Sequence, residues 1–219
     1  MFARLDFLRR KFSFEPKVIY DIGAFEGYWT SDCKKIFSSS SYYQFEANDE
    51  KSSFLHDNPT FGVLGDKDGH EVIYYKTKYQ IATGNSILKE NSSFFDESNC
   101  IEEKKIMNKL DTIVESKSYP FPDFMKLDTQ GSELLILSGA SKCLEYCQVV
   151  LMEVSIHQYN EKAPLLFDFL KFMDEKGFVV FDIASLNYLE YGKQKGILNQ
   201  VDLLFCKKDS PYFISRFDL

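Results

Sequence analysis

The chain has 219 residues, of which 44% are hydrophobic and 27% charged, and its formal net charge is −7 at pH 7. This length and apolar content favour one α/β domain with a full core, and no apolar run approaches the roughly 18 residues of a membrane span. The negative charge disfavours a nucleic-acid partner, because a protein that follows the phosphate backbone needs a basic surface.

The cysteines and the N-terminus bear on the compartment. The five cysteines form no C-x-x-C pair, and the N-terminus lacks the apolar stretch and cleavage site of a signal peptide. We therefore expect a reduced, cytoplasmic protein. Homo-oligomer formation is left open by the sequence.

Residues 1–14 alternate apolar and basic side chains at helical spacing, and Pro16 follows them. A basic amphipathic helix can lie on a membrane surface, but we expect this one to pack on its own domain or on a partner subunit. The predicted organisation is a helical extension over residues 1–16 and one domain over residues 17–219, without stable membrane insertion.

A strand over residues 17–20 ends at Asp21, and a glycine-containing turn leads into a helix that begins at Tyr28. This arrangement is typical of a ligand loop in an open α/β sheet. The spacing Asp-x-Gly-x-x-x-Gly lacks the G-x-G-x-x-G pattern of a pyrophosphate-binding loop, so we expect a ligand without a diphosphate. The candidate ligand-binding residues of this loop are Asp21, Gly23, Ala24 and Gly27.

About one βαβ unit later, an aromatic strand over residues 42–46 ends in Glu46. In a Rossmann-like sheet, the acid at the end of the second strand accepts hydrogen bonds from the ribose hydroxyls. Carboxylates at the ends of two successive strands, Asp21 and Glu46, indicate that a nucleoside-type ligand binds here.

The next segment combines turns, strands and a long polar loop. Asn48 is a suitable cap for a helix that continues through Leu55, and residues 60–63 and 71–76 predict strands. Between these strands, Asp66 is either a ligand of a nucleobase amino group or an ordinary turn residue. We expect the polar residues 79–103 to form a lid or substrate-entry loop, with disorder as the alternative.

The second half of the chain alternates strands and helices. This alternation predicts a Rossmann-like α/β fold, with a mostly parallel sheet covered by helices on both faces. The expected strands cover residues 124–127, 149–153, 178–182 and 201–205, and the expected helices cover residues 131–137 and 164–176.

Three further candidate residues lie near the carboxyl ends of these strands, where ligands collect in such sheets. Asp128 ends an apolar strand, and it is either catalytic or a cap of the following helix. Glu153 and His157 leave the next strand together, and they could act as base and orienter on a substrate hydroxyl. A surface histidine with no role is the alternative for His157. The three residues could also hold a divalent metal, but we predict no metal site.

The stretch from Lys126 to Ala140 resembles the hallmark of the FkbM family of S-adenosylmethionine-dependent methyltransferases, roughly K-[IL]-D-x-Q-G-x-E-x-x-[IVL]-x-x-G-A. The similarity covers about residues 17–206, nearly the whole chain. Its hallmark positions are Lys126-Leu-Asp128, Gln130-Gly131, Glu133, Ile136 and Gly139-Ala140. One departure is Phe25-Glu26, since the family often carries Asn after the alanine of its glycine loop.

The resemblance implies a class I methyltransferase fold with a seven-stranded sheet and S-adenosylmethionine as the cofactor. It also implies O-methylation of a hydroxyl on a small molecule or saccharide, with Asp128 beside the methyl donor. An acidic rim suits this cofactor, because its sulfonium and ammonium groups are positive. The alternatives are a nucleotide-dependent oxidoreductase and a non-catalytic binding protein that retains the fold.

Overall fold

The central sheet has seven strands in the order β3-β2-β1-β7-β8-β10-β9, in a computed structural model that describes residues 1–79, 83–189 and 193–212. Neighbouring strands from β3 to β8 run parallel, whereas β10 is antiparallel to both β8 and β9. The strands are β1 Val18–Ile22, β2 Ser41–Glu46, β3 Thr60–Phe61, β7 Phe124–Leu127, β8 Val149–Ser155, β9 Phe178–Tyr188 and β10 Leu198–Lys207.

Six helices cover this sheet within the described residues. Two buried clusters pack between the helices and the two faces of the sheet. The helices are α1 Phe2–Phe12, α2 Tyr28–Cys33, α3 Leu110–Ser116, α4 Glu133–Ser138, α5 Ser141–Tyr146 and α6 Leu166–Glu175. The order of the strands reverses at β1, whose neighbours are β2 and β7. The crevice beyond the carboxyl ends of these strands is where such sheets bind ligands.

Helix α1 packs on the protein's own sheet. Leu5 and Leu8 are fully buried in the same cluster as Ile19 of β1 and Phe124 of β7. The ring of Phe12 meets that of Phe181 on β9 edge-on at 5.3 Å. The apolar stripe of α1 is therefore used within this chain, as the packing interpretation expected.

A second sheet of three strands lies between β3 and β7 in the chain, in the order β4-β6-β5. Its strands are β4 Val63–Gly65, β5 His70–Thr77 and β6 Cys100–Lys109. Residues 100–103 were expected to belong to a loop, and they instead begin β6. Five of the ten side chains of β6 are charged, and only one of the ten is buried. The strand therefore lacks the apolar alternation that would mark it in the sequence.

The helix expected to continue through Leu55 is only a short 3₁₀ turn, Asp49–Lys51. Asn48 does cap this turn by accepting the N–H of Glu50 at 3.2 Å. The side-chain oxygen of Gln44 then accepts the N–H groups of residues 56 and 57. The backbone N–H groups of residues 56 and 57 therefore bond to a side chain and not to helical carbonyl oxygens. Helices α3 and α5 were not expected.

No helix in the described part of the chain combines the length and apolar character needed to cross a membrane. All five cysteines are free thiols. The cytoplasmic location and the oligomeric state stay predictions.

Candidate active site

A cavity of about 220 Å³ lies beyond the carboxyl ends of β1, β2 and β7. Its wall combines backbone turns, aromatic rings and three charged side chains. The lining residues used below are Gly23, Ala24, Phe25, Trp29, Glu46, Asn48, Val63, Leu64, Tyr74, Lys126, Asp128 and Gln130.

The turn after β1 bounds this cavity, and it requires glycine at its first position. Gly23 has a φ of 75°, and a β-carbon there would lie 1.9 Å from the backbone oxygen of Asp128. The N–H groups of Gly23 and Ala24 both donate to the carbonyl oxygen of Phe45, at 2.9 and 3.0 Å. The missing side chain therefore lets the β1 turn lie directly against the turn after β7.

Glu46 closes the cavity at the end of β2. Its two carboxylate oxygens accept the N–H groups of Phe25 at 2.7 Å and Asn48 at 2.8 Å. Burial raises the pKa of Glu46, and these two backbone donors offset part of the rise. The carboxylate retains free lone pairs, because each oxygen has one backbone donor.

Three residues expected to bind the cofactor do not line the cavity. Asp21 is fully buried, where it accepts the hydroxyl of Thr30 at 2.7 Å and lies 3.1 Å from the ammonium of Lys126. Gly27, with a φ of 76°, caps α2. Asp66 lies in the turn after β4, whereas Val63 and Leu64 of that strand reach the cavity. The side chain of Asp21 is engaged with Thr30 and Lys126 instead, and a role of these three positions in cofactor binding stays a prediction.

Glu26, where the chain departs from the family pattern, does not line the cavity either. Its carboxylate pairs with Lys51 at 2.6 Å and accepts the hydroxyl of Tyr28 at 2.8 Å. The ammonium of Lys51 lies 4.1 Å from the ring centroid of Phe25. Glu26 thus takes part in a largely buried ion pair beside the turn.

The turn after β7 is held by Glu133. The carboxylate of Glu133 accepts the N–H groups of Thr129 at 2.8 Å and Gly131 at 3.2 Å. Gln130 adopts a left-handed φ of 57° between them. Burial raises the pKa of Glu133, which is 1% exposed. Glu133 therefore closes the turn that presents Asp128 and Gln130.

Gln130 joins two of the expected catalytic carboxylates. Its amide nitrogen lies 3.0 Å from Oδ1 of Asp128 and 2.9 Å from Oε2 of Glu153. The amide of Gln200 on β10 donates to the same Oε2 at 2.8 Å. Removal from water and the charges of Asp128, Glu133 and Asp202 together raise the pKa of Glu153 well above its ordinary value.

A second cavity, of about 920 Å³, opens beside the first. Gln130 lines both cavities, whereas Glu153 and His157 line the second. His157 is exposed, and its ring makes no hydrogen bond to the described residues. The structure thus brings Asp128 and Glu153 together, and places His157 on the wall of the second cavity. Among the described residues, no group of three or more His, Cys, Asp or Glu side chains is placed to hold a metal ion.

Residues 83–99 lie across the two cavities. The hydroxyl of Ser86 donates to the backbone oxygen of Thr129 at 3.0 Å. The backbone N–H of Asn91 donates to the backbone oxygen of Tyr159 at 2.8 Å. The amide of Asn160 donates to the backbone oxygen of Leu88 at 3.0 Å. These anchors fix the segment on both sides, and its function as a lid stays a prediction. Residues 80–82 of the expected loop lie outside the described residues.

Gln130 and Gln200 were not among the expected site residues. Gln130 belongs to the family hallmark, so its presence there could have marked it as a site residue. Gln200 precedes an apolar run on β10, and no local pattern marks it. Only the antiparallel pairing of β10 with β8 places it beside Glu153.

The Rossmann-like sheet, the glycine turn and the acids after β2 and β7 define an α/β enzyme that binds a nucleoside-type ligand. Residues 21–180 match the family described as the methyltransferase FkbM domain. This match covers more than half of the chain, so the chain belongs to that family and is an S-adenosylmethionine-dependent methyltransferase. The oxidoreductase and non-catalytic alternatives are set aside by this membership. The expected family, fold class and cofactor are confirmed.

Similar solved structures have low sequence identity to this chain. A methyltransferase FkbM from Methylobacillus flagellatus KT is 14% identical with a TM-score of 0.50, over 87% of this chain and 43% of that one. The present chain thus spans less than half of that relative. Precorrin-6y C5,15-methyltransferase from Geobacter metallireducens GS-15 is also 14% identical, with a TM-score of 0.49 over 94% and 87% of the two chains. No protein of curated function matches this chain in sequence.

Proposed function

We propose that this protein transfers the methyl group of S-adenosylmethionine to a hydroxyl group of a small molecule or saccharide. The observation that carries this proposal is the pair of carboxylates that Gln130 joins where two cavities meet. An alcohol is a poor nucleophile, so a positioned base that takes its proton assists the transfer. The cofactor, when bound, supplies an activated methyl group on a sulfonium.

The first cavity has the side chains that such a cofactor needs. Glu46 has free lone pairs for the ribose hydroxyls, and the turn at Gly23 offers backbone groups without a side chain in the way. Tyr74 and Val63 supply aromatic and apolar surface for a base. We propose that these residues, together with Ala24 and Asp128, hold the cofactor.

Glu153 is the proposed base. Its raised pKa makes it a stronger base than an ordinary carboxylate once it is ionised. Gln130 and Gln200 both donate to Oε2, so Oε1 is left for the acceptor hydroxyl. Asp128 lies beside Glu153, on the side of the cofactor cavity. Its negative charge there favours the positively charged sulfonium of the cofactor. His157 is proposed to contact the acceptor at the cavity wall.

The composition of the second cavity supports a neutral, hydroxylated acceptor. Amide and phenol groups such as those of Asn91, Gln158, Asn199 and Tyr188 can both donate and accept hydrogen bonds. The described lining contains no lysine or arginine, so it offers no counter-ion to a phosphate or carboxylate. Its volume falls within the usual range of ligand sites.

The test uses purified full-length protein and cofactor with a trideuterated methyl group. Calorimetry first measures binding of S-adenosylhomocysteine. Mass spectrometry then follows label transfer to neutral saccharides and polyols, and to matched panels of amines and carboxylic acids. Label on a hydroxyl oxygen supports the proposal. Transfer only to nitrogen or to carboxylates, with cofactor binding intact, would overturn it.

A further inference from the structure

One ammonium group connects the elements that bound the cofactor cavity. Nζ of Lys126 lies 2.9 Å from the carbonyl oxygen of Gly23, 3.1 Å from Oδ1 of Asp21 and 3.8 Å from Oδ2 of Asp128. The Lys126 side chain is only 6% exposed, and it also lines the cavity. The centroid of the Trp29 ring lies 6.0 Å from Nζ.

The contact with Gly23 completes the anchoring of the β1 turn. The N–H groups of Gly23 and Ala24 bond to the oxygen of Phe45, and the N–H of Phe25 bonds to Glu46. The carbonyl of Gly23 is held by Lys126, which comes from a different strand. The direction of this peptide group therefore depends on where the ammonium lies.

The ion pair with Asp21 neutralises the buried ammonium of Lys126, but it does not explain why that ammonium also contacts Gly23 and Asp128. Asp21 and Lys126 are paired residues on adjacent strands β1 and β7, so they can neutralise each other without any third partner. A buried ion pair can often be replaced by neutral side chains with no loss of stability. The contacts with Gly23 and Asp128 would be lost in such a replacement.

We propose that Lys126 is a positioning residue for methyl transfer, whose ammonium fixes the Gly23 turn of the cofactor cavity. It acts through that turn, and its contact with Asp128 ties the turn to the acidic side of the site. Removing the ammonium while keeping the site neutral should release the Gly23 peptide and weaken cofactor binding, even in a protein that folds normally.

The experiment compares the full-length double variant Asp21→Asn/Lys126→Met with the wild type. The melting temperature reports folding, and calorimetry gives the Kd of S-adenosylhomocysteine. We expect a melting temperature close to that of the wild type and a Kd at least tenfold higher. Lys76→Met is the matched control, because Lys76 of the second sheet is equally buried and is paired with two carboxylates, Glu50 and Glu103. It should lower the melting temperature and leave the Kd within about threefold.

A folded double variant with a wild-type Kd would overturn the proposal, since the pair would then be only structural. If the double variant does not fold, Lys126→Ala is titrated with butylammonium, which restores a cation in the vacated space. Saturable recovery of cofactor affinity supports the proposal, and no recovery overturns it. These readouts need no acceptor, so they are independent of whether the enzyme methylates hydroxyl groups.

Discussion

Gln130 and Gln200 donate hydrogen bonds to the same carboxylate oxygen of Glu153, at 2.9 and 2.8 Å. One glutamine comes from the turn after β7, and the other comes from the antiparallel strand β10. Hydrogen bonds to a carboxylate favour its charged form, whereas removal from water and nearby negative charges oppose it. The opposing effects leave the pKa of Glu153 raised, so its ionised form is a stronger base than an ordinary carboxylate.

Replacing Glu153 with Gln should abolish methyl transfer and stabilise the fold. A carboxyl with a higher pKa in the folded protein binds its proton more tightly there, so the folded state loses stability as pH rises from the unfolded to the folded pKa. Removing this charge should raise the free energy of unfolding at pH 7.5. Urea denaturation and a label-transfer assay measure the two effects. Glu161→Gln, an exposed change on the adjacent loop, should alter neither.

The pH dependence of methyl transfer should move when Gln200 is replaced by Leu. Loss of one donor to Oε2 disfavours the ionised form, so the pKa of Glu153 should rise further. The acid limb of kcat/KM, where the rate falls as pH decreases, should therefore shift to higher pH. Gln194→Leu removes an amide from the same cavity without touching Glu153 and should leave the limb in place. An unshifted limb in the Gln200 variant would exclude Glu153 as the base.

Glu46→Gln should weaken cofactor binding by at least tenfold. The amide has one acceptor oxygen, so it cannot accept from both Phe25 and Asn48 and still receive ribose hydroxyls as the carboxylate can. Calorimetry with S-adenosylhomocysteine measures the change. Glu50→Gln, on the neighbouring turn, is the control and should bind normally. Equal affinity of the two variants would contradict the proposed place of the ribose.

Gly23→Ala should destabilise the protein more than Gly69→Ala. Both glycines have a φ near 70°, so both substitutions carry the backbone penalty of about 1 kcal/mol. Only at Gly23 would the new β-carbon also meet an atom, the oxygen of Asp128 at 1.9 Å; at Gly69 nothing lies within 4 Å. We expect an additional loss of about 2 kcal/mol at Gly23, measured by urea denaturation. Similar losses of unfolding free energy in both variants would mean that the backbone around Gly23 can shift to accommodate the new β-carbon at little cost.

Leu8→Ala should lower the free energy of unfolding by about 2–4 kcal/mol, because the Leu8 side chain is on the buried face of α1 and is only 1% exposed. A helix that served only to contact membranes or other proteins would tolerate this change. Chemical denaturation measures the loss, and Phe7→Ala on the exposed side of the same helix should cost far less. A stable Leu8 variant would show that α1 contributes little to the core.

The core strands and the family were readable from local sequence patterns. Buried parallel strands are continuous apolar runs, so β1, β7 and β8 stand out. Asp21 lies near the carboxyl end of β1 and Asp128 directly follows β7, so the parallel arrangement places both at the same edge of the sheet. The solvated strand β6 was missed because charged residues on both faces hide its period. Helices α3 and α5 are too short to show a full periodic stripe.

The sequence by itself determined the α/β sheet, the Gly23 turn, Glu46 at the end of β2 and the hallmark that includes Gln130. Side-chain direction and long-range pairing decided the rest. They bury Asp21 against Lys126, leave Asp66 outside the cavity, and bring Gln200 to Glu153. The physical reason is that backbone pattern fixes where a residue lies along a strand, whereas its partners depend on which distant strand the sheet places beside it.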